Sequence, residues 1–452
     1  MPTMLVLNKK EPWLLFLGDI VIFVLSLWLT LGLRYLALPS LDLFADHLVP
    51  YAALFLLWAL AFFIAGLYEK HTVMMNYKLP GLIFRTQVIN SVLAIIFFYF
   101  IPYFGITPKT ILFIYLVVSF LLFFIWRMYG QRIFGLKVRE PAILVGSGEE
   151  MHLLLDEVNN NPRYNFQFIS HIDLDKIAGF DLQKDVIEKI YSEGVSVVAI
   201  DLQHEKIGPM LPHLYNLLFS KIQFVDIHKV YEDIFDRVPL SLIKYNWFLE
   251  NISLAPSMTS DILKRLIDLV ISVFFGLISL IVYPFVYLAI KIEDGGSLFI
   301  IQNRIGRNNL PVKILKFRTM SFNDNGEDGG KKGNQITRVG SFLRKSRIDE
   351  LPQLWNVIKG DLSLIGPRPE LPDLAKKYEQ QIPYYNVRHL IKPGLSGWAQ
   401  LYHENHPHHD ANVEETKNKL SYDLYYVKNR SFGLDLEIAL KTIKTLLSRS
   451  GK

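Results

Sequence analysis

The chain contains no cysteine. Disulfides and thiolate metal sites are thereby excluded, and the composition fits a reducing compartment. Charge is sparse as well: Asp, Glu, Lys and Arg make up 20% of the 452 residues, against 51% hydrophobic and 13% aromatic. Such a chain is too apolar for an ordinary soluble protein and too charged to be membrane throughout, so a membrane part and a globular part are expected. A small-residue cleavage site is missing after the first apolar run, which is also too long for a secretory leader.

Four apolar runs lie near the N-terminus, at residues 13–33, 50–68, 87–104 and 111–129. Each approaches the roughly 20 residues needed to cross a bilayer. Lys9 and Lys10 precede the first run, Lys70, Lys78 and Arg85 separate the second and third, and Arg127, Arg132, Lys137 and Arg139 follow the fourth. The opposite loops carry only Arg34 and Lys109. The positive-inside rule therefore puts both ends of the bundle in the cytoplasm. Asp19 falls within the first run, where an acid is by default functional, with packing of the bundle as the alternative. A fifth apolar stretch, 266–292, is long enough to span. Pro284 sits inside it, lacks an amide hydrogen and clashes with the preceding turn, so it can break the helix into two arms.

From Pro141 onward short strand-like runs alternate with helix-like ones: AILVGSG (142–148), FQFISHI (166–172), VSVVAIDL (195–202) and IQFVDI (222–227). This pattern predicts a small doubly wound, Rossmann-like α/β module. Gly146-Ser147-Gly148 follows the first strand like part of a dinucleotide fingerprint, but Met151 stands where a third glycine is needed for close packing. Asp173 lies near the place of a ribose-binding acid. Nucleotide binding and a purely structural or regulatory module both remain open.

The acidic pair Asp349-Glu350 lies at the edge of a basic region: residues 302–348 hold eleven Lys and Arg against three Asp and Glu. The local pattern predicts a helix over 350–359, with Asp349 as N-cap, Pro352 in the first turn, Leu351, Leu354, Trp355 and Ile358 as an apolar face, and Gly360 as the stop. An isolated Asp-Glu pair is more often a cap than a site. Next to so many cations, and at a helix start that favours phosphate, it reads as phosphate chemistry. Two carboxylates adjacent in sequence do not fit a glycosidase, whose acids flank the sugar from separate elements.

The stretches KRLIDLVIS (264–272), QNRIGR (302–307), KFRTM (316–320), LRKSRIDELPQLWNVIKGDLSLIGPRPE (343–370), KPGLSGWAQ (392–400) and YDLYYVKN (422–429) resemble, in that order, the bacterial sugar transferases, or polyprenyl-phosphate phosphoglycosyl transferases. The full length resembles the large members of that family. The resemblance implies a cytoplasmic catalytic domain at the bacterial inner membrane, with the segment 264–292 entering the bilayer and returning. It implies transfer of a sugar 1-phosphate from a UDP-sugar to undecaprenyl phosphate with release of UMP, early in surface polysaccharide assembly. Asp349 would be the nucleophile forming an aspartyl phosphosugar, and Glu350 would hold Mg2+. Lys316, Arg344 and Arg368 would act on phosphate, with Arg304, Arg318, Pro367, Asp361 and Asp423 as further positions of the substrate site. For Asp361 and Asp423, structural capping is the alternative. The family's small residues after GWAQ are replaced here by Leu401, Tyr402 and His403.

The expected fold class is thus a membrane α-helical bundle (1–130), a Rossmann-like α/β module (131–256) and a mixed α/β catalytic domain with a re-entrant membrane helix (257–452). Membrane lipids are expected partners, a homodimer is left open, and no nucleic acid is expected. Two rivals remain. One is a nucleotide-sugar-binding regulatory or scaffold protein. The other is a nucleotide-sugar oxidoreductase or dehydratase, whose Tyr and Lys four apart occur here only as Tyr287 and Lys291. Residues 322–333 read as a mobile loop, and His403, His406, His408 and His409 as a surface loop rather than a metal site.

Overall fold

A computed structural model describes residues 11–68, 79–100, 109–133, 139–161, 164–176, 182–220, 222–252, 258–321, 335–402 and 413–447. The loop 322–333 and the four clustered histidines lie outside them.

Four helices long and apolar enough to cross a membrane come first: α1 (Glu11–Tyr35), α2 (Leu41–Ala65), α3 (Leu79–Phe100) and α4 (Lys109–Ile133). Two of them start earlier than the hydropathy suggests. The polar residues Asp42, Asp46 and Arg85 lower the apolar signal, yet the helices run through them, α2 with Pro50 in its interior. Ser40 caps α2 by accepting from the Leu43 amide, and Gly66 ends it at φ 83°, a left-handed conformation that glycine adopts freely. The bundle core is aromatic: Phe23, Tyr51, Trp58, Phe62, Tyr115 and Phe123 are buried. Leu17, Val21, Leu56, Ile95 and Leu121 face outward, as lipid contact requires. Asp19 finds its partner in Arg127, both buried, and Arg127 also donates to the Leu67 carbonyl at 2.8 Å. Arg127 is therefore committed to the inside of the bundle instead of standing free among the flanking positive charges.

The middle segment builds β1 (Glu140–Gly146), α5 (Glu149–Asn160), β2 (Phe166–Asp173), α6 (Leu182–Ser192), β3 (Val197–Ile200), α7 (Leu211–Leu217), β4 (Gln223–Asp226), α8 (Ile227–Phe235) and α9 (Tyr245–Asn251). The strands form one parallel sheet in the order β2-β1-β3-β4. Its two faces carry separate apolar clusters, one around Leu144, Leu154 and Val230, the other around Ile143, Ile190 and Leu214. Near-continuous burial of β1 and β3 follows from helices on both sides. The glycine loop packs against the segment after α8. A Cβ on Gly148 would lie 3.4 Å from Ser241 Oγ and 3.7 Å from Leu242. Glu150, in the first turn of α5, accepts from the Ser241 amide.

Next come α10 (Met258–Ser279) and α11 (Tyr283–Glu293), bent by 52° where the helix breaks. Pro284 occupies the first turn of α11. It starts the second arm, as its fixed φ and missing donor favour. Phe274, Ile278, Ile281, Phe285 and Leu288 point outward from this bent pair, whereas Asp268, Ser272 and Ser279 are buried beneath it. The rest comprises the antiparallel hairpin β5 (Phe299–Ile305) and β6 (Pro311–Phe317), α12 (Arg338–Lys345), α13 (Gln353–Lys359), β7 (Ser363–Ile365), α14 (Pro372–Gln381), β8 (Gly394–Ser396), α15 (Trp398–Tyr402), α16 (Val413–Asn429) and α17 (Phe432–Leu447). Arg265 and Asp268 on α10 clasp this layer. Arg265 donates to the Val357 and Ile358 carbonyls at 2.6 and 2.8 Å, closing the C-terminus of α13. Asp268 accepts from Ser363 Oγ at 2.8 Å and from the Leu364 amide at 3.2 Å.

Candidate active site

Arg347 has φ 57°, an uncommon left-handed conformation for a residue with a side chain. It turns the chain out of α12 into a single 3-10 turn, Ile348–Glu350, and α13 begins only at Gln353. Asp349 is therefore no N-cap. It sits inside the tight turn, 8% exposed, and its Oδ1 has no hydrogen-bond partner. The apolar face of α13 also differs from the expected one. Leu354 and Val357 are buried, but Trp355 points outward and donates Nε1 to the Tyr283 hydroxyl of α11 at 3.1 Å. Gly360 ends α13 at φ 98°, as the sequence predicts.

Glu350 faces cations from three elements. Its Oε1 lies 3.0 Å from Arg368 Nη2, 3.8 Å from Arg347 Nη1 and 3.9 Å from Lys316 Nζ of β6. Burial opposes its charge, but Arg368, Lys316 and Arg347 hold the carboxyl down to about 2. Asp349 behaves in the opposite way. Burial, and then the charge of Glu350, push it up to about 6 against Lys316, Arg344 and Arg347. Burial pushes Lys316 down, with Glu350 opposing. Adjacent acids thus have unlike character, one fixed as an anion and one poised near neutrality.

Arg368 is held between two buried prolines, Pro367 and Pro369. The strands on either side approach so closely that a Cβ on Gly394 would meet the backbone of Gly366 at 2.1 Å. Arg344 on α12 donates Nε to Thr319 Oγ1 at 2.8 Å while its charge reaches Asp349. Arg304 donates to Gln302 at 3.0 Å and contributes positive potential at Lys316. Three residues expected at the substrate site have other work. Arg318 pairs with Asp294 at the end of α11. Asp361 pairs with Lys359 at 3.1 Å and accepts from Asn356 at 3.3 Å, next to the C-cap of α13. Asp423 is 1% exposed and pairs with the buried Arg388 at 2.7 Å.

Arg347 was legible only as one charge of a basic run. Nothing in the sequence marked Arg388 or Lys419, which gather with Glu370 behind Arg368. Glu370 was marked only as the end of the GPRPE stretch.

Among the described residues no cluster of three or more His, Asp or Glu forms a metal cage. Mg2+ does not need one, since it takes one or two carboxylates and fills its shell with phosphate oxygens and water. The acidic pair with its unpartnered Asp349 oxygen fits that pattern.

An apolar cavity of about 470 Å³ adjoins the turn, lined by Val282, Phe285, Val286 and Ala289 from the bent pair and by Arg338, Val339, Phe342, Leu343 and Ile348. Glu293, at the end of α11, ties the two helices together by accepting from the Arg338 and Val339 amides at 2.6 and 3.0 Å. Ile348 borders the cavity and directly precedes Asp349. Phe285 and Phe342 are 70% and 64% exposed, so the cavity opens onto the apolar outer surface.

Residues 259–449 match the sequence profile described as "Bacterial sugar transferase". A UDP-N-acetylgalactosamine-undecaprenyl-phosphate N-acetylgalactosaminephosphotransferase of Aeromonas hydrophila is 37% identical over 262 residues, 56% of this chain and 59% of that protein. The uncharacterized sugar transferase EpsL of Bacillus subtilis is 37% identical over 196 residues, 42% of this chain and 90% of that protein. A UDP-glucose:undecaprenyl-phosphate glucose-1-phosphate transferase of Caulobacter vibrioides is 36% identical over 196 residues, 43% of this chain and 73% of that protein. All of the site residues named above lie within the matched region, and the chain belongs to the bacterial sugar transferase family.

Proposed function

We propose that the chain is an enzyme that moves a sugar 1-phosphate from a UDP-sugar to undecaprenyl phosphate, with Asp349 as a covalent nucleophile. The observation that carries this reading is the buried, unpartnered Oδ1 of Asp349 beside a Glu350 held ionised by three cations. Two of the relatives named above, those of Aeromonas hydrophila and Caulobacter vibrioides, act on UDP-sugars and undecaprenyl phosphate by their names.

In the first step an Asp349 oxygen attacks the sugar-linked phosphorus, and the bond from that phosphorus to the bridging oxygen breaks. UMP leaves with the bonding electrons, and an aspartyl phosphosugar remains. In the second step an oxygen of the lipid phosphate attacks the same phosphorus and the acyl phosphate bond breaks, which restores the Asp349 carboxylate and gives a lipid diphosphate sugar. The carbon–oxygen bond of the sugar is untouched, so the anomeric configuration is retained. Two steps let one small site meet a soluble donor and a membrane acceptor in turn. Lys316, Arg347 and Arg368 offset the charge that keeps a carboxylate from a pyrophosphate. Arg344 keeps Asp349 more ionised than burial alone would leave it. Mg2+, held by Glu350, would withdraw charge from the phosphate oxygens when bound.

The acceptor reading also accounts for the cavity between α11 and α12. Its lining suits the first isoprene units of the lipid, and Ile348 puts its inner wall next to the nucleophile. The bent pair α10–α11 then enters the bilayer from the cytoplasmic face and returns to it. A single span would carry Asp349 to the side without nucleotide-sugars. The middle segment serves as a Rossmann-like structural module, a reading supported by the packing of its glycine loop against Ser241 and Leu242. Tyr287 and Lys291 lie on α11, with Lys291 donating to the Gly295 carbonyl at 2.9 Å, which gives the oxidoreductase reading no support.

The test is purified protein with a panel of UDP-sugars and UMP detection. Asp349→Asn should abolish both UMP release and lipid product, and chelation of divalent cations should do the same reversibly. Full turnover by the Asn variant would remove Asp349 as nucleophile.

A further inference from the structure

Arg388 is among the largest fully buried side chains described. It lies 20 residues beyond Arg368 in a 3-10 segment, Tyr385–Leu390. Its Nη2 donates to the Arg368 carbonyl at 3.0 Å and lies 2.7 Å from Asp423 Oδ2 of α16. Its Nη1 donates to the Tyr385 hydroxyl at 2.8 Å and lies 3.6 Å from Glu370 Oε1. Lys419, one helical turn before Asp423, holds the same Glu370 carboxylate. The Glu370 carbonyl in turn accepts from the Ile305 amide of β5 at 2.9 Å. The three residues from Arg368 to Glu370 are therefore fixed at both ends, and only the Arg368 side chain projects to Glu350.

Burying a guanidinium and a carboxylate is expensive, and apolar side chains of equal volume often serve stability as well or better. The pair must then act through what it fixes. We propose that Arg388 and Asp423 are positioning residues that lock the Pro367-Arg368-Pro369 segment, so that the Arg368 guanidinium is aimed at Glu350 and at the phosphate transferred there. Neither touches substrate. The inference rests on the role given to Arg368 above. It also gives the buried Asp423 a task that its motif position alone did not reveal.

The experiment is a double-mutant cycle on kcat and KM for UMP release, using Asp423→Asn, Arg388→Lys and Arg368→Ala in the full-length protein. Asp423→Asn alone should lower kcat by about tenfold or more, and in the Arg368→Ala background by less than about threefold, because coupled residues do not add. Equal losses in both backgrounds would overturn positioning and assign the pair to general folding. Full activity of Arg368→Ala would instead sink the role of Arg368 itself, a distinguishable result. Should Asp423→Asn fail to fold, Tyr385→Phe and Lys419→Met probe the network from its edge, and the same comparison decides.

Discussion

Asp349 is buried beside an anion, and both conditions favour its protonated form. A nucleophile must be ionised, so UMP release should rise with pH along a limb at or below about 6. Arg344 pulls Asp349 down, so Arg344→Gln should move that limb to higher pH; an unmoved limb would show that Arg344 does not act on Asp349. The same shift affects stability. The folded carboxyl is raised above its unfolded value near 3.8, so between the two the folded state binds more protons and stability falls as pH rises. Asp349→Asn removes that penalty. In thermal melts it should be more stable than the parent by a few degrees at about pH 7, with the gap closing below about pH 4. Equal melting at both pH values would contradict the raised carboxyl. The acids and the flanking cations were legible because their chemistry is unusual at that density. The turn that carries them was not, because it depends on the left-handed Arg347, a conformation that residue type does not advertise. Arg388 was hidden for a different reason: its partners come from segments far away in sequence.

The bent pair is where element-level reading succeeded in part. Pro284 marked the break in 266–292 because a missing donor and a clashing ring are local facts. The side on which the second arm continues is a property of packing, here Val286 and Ile290 against Phe317 and Leu343. Helix starts were misjudged where charged residues lie in the first turns, since a hydropathy window loses the signal that the backbone keeps. Ala289→Trp should fill the cavity between α11 and α12. It should raise KM for the lipid phosphate about tenfold while leaving UDP-sugar-dependent formation of the covalent intermediate unchanged. A loss confined to the donor step would remove the lipid chain from that cavity. Orientation is tested separately. A protease-sensitive tag after Lys452 should be cut in inside-out vesicles and protected in intact cells, and the opposite pattern would make α10–α11 a single span.

The helix that supports the Arg368 segment also carries the middle module. On α16, Ser421 accepts from the Val238 amide at 3.1 Å, Asn418 accepts from Arg237 at 2.6 Å, and Lys428 binds both oxygens of Glu232 at 2.8 and 2.9 Å. Trp398 adds an indole bond to the Asp236 carbonyl at 2.8 Å. Lys419 and Asp423 project from the same helix toward Glu370 and Arg388. A loosened dock should therefore be felt at Arg368. Glu232 is 8% exposed and burial already raises its carboxyl against the pull of Lys428. Lys428→Met keeps an apolar stem but removes the ammonium, which lies 5.0 Å from the centre of the Trp247 ring, and leaves the acid unpaired, which costs about 3–5 kcal/mol for a buried pair broken on one side. The unpaired carboxyl binds its proton more tightly in the folded state, so the destabilisation should be largest at neutral pH and shrink as pH falls toward about 5. Glu232→Gln combined with Lys428→Met should recover much of the lost melting temperature. A loss in Lys428→Met that is independent of pH, or that the second substitution leaves unchanged, would mean that the ion pair does not hold the module on α16.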